Sequence, residues 1–366
     1  MKRLGCSLFI VLGILLIIMF EYFPNEFSSM LTKFDLPQPT LEEKKELYRE
    51  ETATEPEAEN EESSHASISE GLHDLIGESS NVIEAQFGKP KRIDPSLYGY
   101  DWWIYDKYDG YMQIGVENEK VVTIYVMDVG SLSEPFISGT DYEKLSYSYS
   151  FLDHVSVNKE MGSYRFELTG TELESRPLIQ IQDDTWIQLY FDTFTNKLSS
   201  VRYLSGDILL KQRPYSVTYR GALPQEEDLS KEKWRQIEEG AELQILDITN
   251  AIRDRHNLPL LTWDSEVSKV AYGHSQDMSE NNYFSHTSPT YGELKDRLER
   301  GDVSFYFAGE NIAARYVDSI EAVEGWLNSE GHRVNLLNEE FTHLGIGVYE
   351  RYYTQNFMTP WAIQKN

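Results

Sequence analysis

The stretch Trp326-Leu327-Asn328-Ser329-Glu330-Gly331-His332-Arg333, with Gly309-Glu310-Asn311-Ile312 ahead of it and Phe284-Ser285-His286-Thr287 ahead of both, decides how the C-terminal third of this chain is to be read. Three segments far apart in sequence each carry an imidazole or a carboxylate. A fold that closes them on one another sets His286, Glu310 and His332 around one polar cleft. Convergent groups of these types suit metal coordination or proton transfer. Five of the eight histidines follow residue 250, which places the chemistry in this part of the chain.

Outward from that stretch, the local pattern is helical and then extended. A helical period starts at Lys231, with Leu243, Leu246 and Ile252 near helical spacing and Arg253 and Arg255 close to its end. His256-Asn257-Leu258-Pro259-Leu260 stops it. Asp264 is placed to cap a second helix whose apolar stripe is Val267, Val270, Ala271, His274 and Met278. A histidine on such a stripe is more often a core residue with one satisfied hydrogen bond than a ligand, so His274 is assigned to the core, in support of the site. Asp318-Ser319-Ile320-Glu321 has the form of a capping box opening a third helix, with Ile320, Val323 and Leu327 inward. Gly331 is expected to take the left-handed turn that ends this helix and so to deliver Glu330 and His332 to its terminus. Leu344 to Tyr349 and Tyr352 to Met358 alternate as two antiparallel strands, with His343 a surface residue at the opening. Layers of helix, sheet and helix follow.

Taken in order, Asn250-Ala251-Ile252-Arg253, Leu258-Pro259-Leu260-Leu261-Thr262-Trp263-Asp264, Ser275-Gln276-Asp277-Met278, Phe284-Ser285-His286, Gly309-Glu310-Asn311-Ile312, Trp326 with Gly331-His332-Arg333, and Gly345-Ile346-Gly347 resemble the CAP superfamily. This family, also called the SCP domain, includes cysteine-rich secretory proteins, antigen 5 and plant pathogenesis-related proteins. The spacing is most similar to that of bacterial members. The resemblance implies an α-β-α sandwich with a large cleft containing two histidines and two acidic residues. His286, Glu310 and His332 carry over directly. Where animal and plant members have Glu three residues after the helix Trp, this chain has Ser329, with Glu330 beside it; either Ser329 or Glu330 completes the tetrad.

Two neutral imidazoles and one carboxylate, from His286, His332 and Glu310, would make a three-ligand site for Zn or another divalent cation with water in the fourth position. That would suit a metal-dependent hydrolase acting on peptide or cell-envelope substrates. The zincin spacing His-Glu-x-x-His is missing, however, as is the elbow Gly-x-Ser-x-Gly. The resemblance also implies a use without turnover, since several CAP proteins bind lipids, sterols or proteins. A third use is structural, a satisfied polar quartet tying loop, strand and helix end together. Ligand binding in the cleft is preferred, and no catalytic residue is assigned.

Ahead of residue 217 the texture changes. From Leu72 to Ser216, short alternating runs rich in Tyr, Trp, Ile and Val are broken by Gly, Asp and Asn, which predicts strands and turns. Phe87-Gly88, Tyr111-Met112-Gln113-Ile114 and Val121 to Val126 are repeated about 75 residues later as Met161-Gly162, Trp186-Ile187-Gln188-Leu189 and Leu198 to Tyr203. Each copy is expected to open with a short helix, Val82 to Phe87 or Val155 to Met161, and to close in a hairpin turning at Glu117-Asn118 or Thr195-Asn196. The region thus reads as a tandem-repeat α+β module over 71–216, and it resembles the CAP-associated N-terminal domain of Bacillus-type proteins. Trp102, Trp103, Tyr105 and Tyr108 could stack on sugar rings, but strand aromatics are more often sheet core. Residues 217–236 are expected to link this module to the CAP domain over 237–363.

At the N-terminus, Lys2-Arg3 precede an almost continuous apolar run from Leu4 to Phe20, about as long as the shortest bilayer span. Glu21-Tyr22-Phe23-Pro24 offers no small-residue processing site, so residues 1–22 are taken as an uncleaved transmembrane anchor, with the rest exported. Residues 23–70 form an acidic tether. From Thr40 to Ala66 ten glutamates stand against three basic residues, a composition that cannot bury enough surface to order itself. Cys6 is the one cysteine, so nothing exported can be bridged, which suits the surface of a bacterium better than a eukaryotic secreted protein. A net charge of −28 over 366 residues argues against nucleic acid as a partner. The sequence therefore points to a membrane-anchored extracytoplasmic protein that binds a partner protein or an envelope- or lipid-derived ligand.

Overall fold

Two hairpins of the same kind lie at the centre of the N-terminal half. The computed structural model describes residues 71–361 apart from 107–109, 161 and 183. The expected anchor, the tether, Cys6, Tyr108 and Met161 lie outside the described residues. In chain order the half comprises α1 (Ser80–Phe87), β1 (Arg92–Pro95), β2 (Asp101–Tyr105), β3 (Tyr111–Glu117), β4 (Lys120–Met127), α2 (Tyr142–Ser148), β5 (His154–Lys159) and β6 (Gly162–Glu167). It continues through α3 (Gly170–Ser175), β7 (Leu178–Gln182), β8 (Thr185–Asp192), β9 (Lys197–Ser205), α4 (Gly206–Gln212) and β10 (Ser216–Gly221). The β3–β4 hairpin turns on Asn118 and Glu119, both at positive φ, as a two-residue turn requires. The β8–β9 hairpin turns through Asn196, also left-handed. Seven antiparallel strands run in the order β1-β2-β3-β4-β9-β8-β7, and β10-β6-β5 make a second sheet. Where β4 meets β9, Tyr125 faces Arg202, its own counterpart in the aligned repeat, with Val126 opposite Val201 and Ile124 opposite Tyr203 on either side. The two copies are therefore joined about a local two-fold axis into one sheet.

The structure departs from expectation in this half at Val155 to Met161. Residues 154–159 are strand β5, paired with β6, not a helix. Val155 and Val157 are buried while Ser156 and Asn158 are exposed, a period of two that overrides the weak helical propensity of so short a run. Trp102 and Tyr105 are buried and Trp103 half-buried, so this aromatic strand belongs to the core. Of the expected linker 217–236, residues to 221 extend β10 and residues from 231 are helical, leaving 222–230 without regular structure.

Ser230 caps α5 (Lys231–Arg255), accepting from the Lys233 amide. There follow β11 (Thr262–Trp263), α6 (Ser265–Glu280), α7 (Leu294–Arg300), β12 (Phe307–Ala314), α8 (Ser319–Leu327), α9 (Glu330–Leu336), β13 (His343–Tyr349) and β14 (Tyr352–Thr359). The strands order as β11-β13-β14-β12, antiparallel except for β11 beside β13. Helix α6 lies directly on β13 because Gly345 and Gly347 leave that face bare. A Cβ at either would run into the helix backbone at Val267–Ser268 or Ala271–Tyr272. Ser268 and Ser275 then donate their hydroxyls to the carbonyls of Ile346 and Gly347. On the other face, Leu344, Ile346 and Val348 pack in one core with Ile245, Ile248 and Ile252 of α5 and Ile320, Val323 and Trp326 of α8. The result is an α-β-α sandwich.

Gly331 is a second departure. Helix α8 ends at Leu327, and Gly331 falls inside the first turn of α9 without taking a positive φ. The corner between the helices is closed by Asn328, which accepts from the Thr193 amide (2.8 Å) and hydroxyl (2.9 Å) and donates to the Phe191 carbonyl (2.8 Å). Glu330 and His332 are therefore delivered to the start of a new helix, held from the N-terminal half.

The two halves share one core. The apolar cluster that holds Trp326 and Phe357 also holds Tyr98, Trp102 and Trp186. Around it run ion pairs between the halves: Arg202 with Asp318 (2.6 Å), Arg92 with Asp247 (2.9 Å), Arg255 with Asp128 (2.7 Å), Arg333 with Asp192 (2.9 Å), and Arg176 with Glu321. The Arg202 side chain is fully buried. Removing its partner leaves an uncompensated charge, at a cost of roughly 3–5 kcal/mol. Asp318→Ala is thus expected to lower stability by about 3 kcal/mol or more, since Asp318 also caps α8. Urea unfolding followed through tryptophan fluorescence should keep a single transition; two separated transitions in the wild type would show independent halves.

Glu242 on α5 accepts from the Val348 amide at 3.2 Å and from Arg235 at 3.2 Å. Burial pushes its carboxyl up to about 7, although Arg235 and the amide pull it back. The folded state thus holds a proton that the unfolded chain releases near pH 4.5, and stability falls as pH rises from about 4.5 to 7. At about 1.4 kcal/mol per pKa unit the loss is at most about 3 kcal/mol. Glu242→Gln should flatten this part of the Tm-against-pH curve, and an unchanged slope would refute the assignment.

Candidate functional site

Three elements bring the site together. The loop after α6 carries His286, β12 carries Glu310, and the first turn of α9 carries His332 behind Ser329. His286 Nδ1 lies 2.9 Å from Glu310 Oε1. The other carboxylate oxygen is bound by the guanidinium of Arg297 from α7, which also donates to the carbonyls of His286 (2.7 Å) and Gly292 (2.9 Å). His332 Nδ1 lies 2.8 Å from Ser329 Oγ. The two imidazole centroids are 6.5 Å apart with their planes inclined at 43°.

Burial grades steeply across this cluster. Glu310 and Arg297 are each 4% exposed at the side chain, whereas His286 is 58% exposed. His332 is half-buried. Burial alone would raise the Glu310 carboxyl, but the His286 hydrogen bond and the Arg297 charge outweigh it and hold the pKa below the ordinary Glu value. Glu310 is therefore ionised and can only accept, so the His286 Nδ1 must carry a proton. His332 is pushed down by burial and then by the nearby His286, and so stays neutral near pH 7. Among the described residues, Nε2 of neither ring has a hydrogen-bond partner. Each ring is thus anchored through one nitrogen and presents the other.

Of the five expected cleft residues, His286, Glu310, His332 and Ser329 come together. Glu330 does not: it is exposed at the first position of α9, and no hydrogen bond or ion pair among the described residues joins it to either histidine. Ser329 occupies the fourth place. His274 is a core histidine, with Nε2 3.1 Å from the Ser285 carbonyl and 4.0 Å from Glu310 Oε1. Arg297 is the residue that reading the sequence missed. Its signal was there, since Leu294, Arg297 and Leu298 share the inward face of α7, where a cation needs a buried partner. Asn335 and Asn311 complete the frame: Asn335 donates to the Glu310 carbonyl (3.1 Å) and to Asn311 (3.0 Å), and Asn311 to the His332 carbonyl (3.1 Å).

These donors do not fit Zn or another divalent ion. Among the described residues no three His, Cys, Asp or Glu side chains are grouped so as to hold one. Glu310 commits one oxygen to His286 and the other to a guanidinium, whose charge would repel an incoming cation in so dry a place. Ser329 adds only a neutral hydroxyl. The cluster's chemistry is that of hydrogen bonding from two imidazoles, each fixed through Nδ1.

Comparison with known proteins places this geometry. Residues 76–215 match the CAP-associated N-terminal family and residues 246–360 the cysteine-rich secretory protein family. Over 314 residues the chain is 47% identical to the Bacillus subtilis membrane protein YlbC, covering 84% of this chain and 90% of that one. It is similar to a crystal structure of an extracellular SCP-domain protein from Bacillus anthracis, with a TM-score of 0.75 and 48% identity over 83% of this chain and 99% of the other. A cysteine-rich secretory protein from Staphylococcus aureus shares the fold, with a TM-score of 0.72 at 22% identity over 80% of this chain and 94% of the other. The chain belongs to the CAP superfamily, in the bacterial form in which a CAP-associated N-terminal domain precedes the CAP domain.

Proposed function

We propose that this protein is a membrane-anchored, extracytoplasmic binding protein whose CAP cleft takes an envelope- or lipid-derived ligand, or a segment of a partner protein, between His286 and His332. The observation that carries this is the pair of imidazoles, 6.5 Å apart, each tied down through Nδ1 and with Nε2 unpartnered among the described residues, His286 being 58% exposed. Preorganised hydrogen-bonding groups of this kind favour ligands with hydroxyl or amide groups, because little side-chain ordering remains to oppose association. The competing use in metal-assisted hydrolysis is disfavoured by the Arg297 charge on Glu310.

The localisation rests on the apolar run from Leu4 to Phe20. Among the described residues no helix is long and apolar enough to cross a membrane. The relative YlbC is named a membrane protein and the Bacillus anthracis neighbour an extracellular one, which supports an anchor followed by exported domains. The N-terminal module then acts as a rigid mount for the cleft, because the helix corner carrying Ser329 and His332 is bonded to it at Asn328 and Arg333.

The full-length protein in detergent, presented with fractionated lipid and wall extracts from a Bacillus envelope, should retain a ligand. His286→Ala and His332→Ala should each weaken retention about tenfold, the loss of roughly 1.4 kcal/mol expected for a central contact. Equal retention by a folded double variant would remove the cleft from consideration. Calorimetric titration with Zn should give no tight stoichiometric binding. A submicromolar site abolished by His286→Ala would instead favour the hydrolase.

A further inference from the structure

Ser329 stands at the N-cap of α9, but its hydroxyl does not do what a serine ordinarily does there. An N-cap serine accepts a hydrogen bond from an amide of the first helical turn. Ser79, Ser205 and Ser230, which cap α1, α4 and α5, all accept one. Ser329 accepts none. Its Oγ lies 2.8 Å from His332 Nδ1 instead, and that imidazole is its one side-chain partner among the described residues.

The pair is held from both sides. Asn328, directly before Ser329, is bonded to Thr193 and Phe191, and Arg333, directly after His332, to Asp192. Hydroxyl and imidazole are thus fixed relative to each other before any ligand arrives, which removes an entropic cost from a reaction between them and a bound group. Both residues are half-buried, so neither is sealed inside the core.

A hydroxyl within hydrogen-bond reach of an imidazole is the arrangement of a nucleophile and its general base. In the tautomer that carries the ring proton on Nε2, the Ser329 hydroxyl donates to Nδ1 and its proton can pass there as Oγ attacks. Among the described residues no carboxylate meets Nε2 of His332, so the base lacks the third group that orients and supports the imidazole of a full triad. Such a pair suits expulsion of an alcohol, which leaves more readily than an amine.

We infer that Ser329 and His332 form a catalytic dyad that cleaves a carboxylic ester carried by the ligand of the cleft. Ser329 Oγ bonds to the ester carbonyl carbon as its proton moves to His332 Nδ1; the ester C–O bond then breaks, and the departing alkoxide takes that proton and leaves as the alcohol. Water, giving its proton to the same nitrogen, splits the acyl-serine, releases the acid and restores the hydroxyl. This chemistry rests on the cleft being a ligand site, as proposed above.

The full-length protein in detergent, incubated with 4-nitrophenyl acetate and quenched in acid, tests the dyad by mass spectrometry of its peptides, which reads Ser329 separately from the Cys6 thiol. An acetyl group should appear on Ser329, with nitrophenolate release continuing after it as the acyl-serine turns over. His332→Ala should slow acetylation of Ser329 about 100-fold, the lower end of what a positioned general base contributes. Ser329→Ala should abolish turnover while keeping the thermal midpoint, since the hydroxyl caps no amide. Turnover persisting in folded Ser329→Ala, or Ser329 acetylated equally fast in folded His332→Ala, would overturn the dyad. So would an unmodified Ser329 in wild-type protein that retains an envelope ligand, and that result would leave the binding role of the cleft standing.

Discussion

The ionised carboxylate of Glu310 is the constraint around which the C-terminal domain is arranged. It lies in a nearly dry position on the central sheet and is kept charged there by Arg297 on one oxygen and His286 on the other. A buried pair of this kind contributes little net stability compared with apolar packing, but loss of either partner is expensive. Its value is therefore in geometry. The same guanidinium also grips the carbonyls of His286 and Gly292, so a single side chain locates the loop, α7 and β12 relative to one another. The protonation of His286 follows, and so does the poor fit to a divalent ion.

The other half of the cleft is positioned from outside the CAP domain. Arg333, next to His332, makes a bidentate pair with Asp192 at 2.9 Å on both oxygens and lies 4.7 Å from the Phe194 ring centroid. Asn328 is fastened to Thr193 and Phe191. All these partners belong to the end and turn of one hairpin in the repeated module. The distance between His286 and His332 is thus set by two different domains, one imidazole being referred to the CAP sheet and the other to the N-terminal module. A merely tethered spacer could not do this; a shared core ringed by partly buried ion pairs can.

How far the sequence revealed this depends on the range of the interactions involved. Asp264 as a cap, the stripe of α6, and the hairpin turns at Asn118 and Asn196 all depend on neighbours a few residues away, and each was legible. The motif residues His286, Glu310 and His332 were legible through resemblance. Most of what escaped depends on partners outside the local pattern. Gly331 has the right identity for a helix stop, but Asn328, held by Thr193, had already closed the corner. Val155 and Val157 carry the period of two of a strand, a local signal that the expectation of a helix passed over. Arg297 sits inward among leucines because Glu310, thirteen residues on, is there to receive it. Whether Ser329 or Glu330 joins the site turned on where α9 begins, a matter of one helical position.

That position also fixes the charge of the cleft. A carboxylate in place of Ser329, within hydrogen-bond range of His332 Nδ1, would favour the imidazolium and give the ring a positive charge over part of the physiological range. A hydroxyl there does not, and burial together with the neighbouring His286 presses His332 toward its neutral form. On the opposite side the Glu310 charge is already balanced by Arg297. His332 can then meet a ligand as a neutral hydrogen-bonding group, beside an imidazole that Glu310 holds in place.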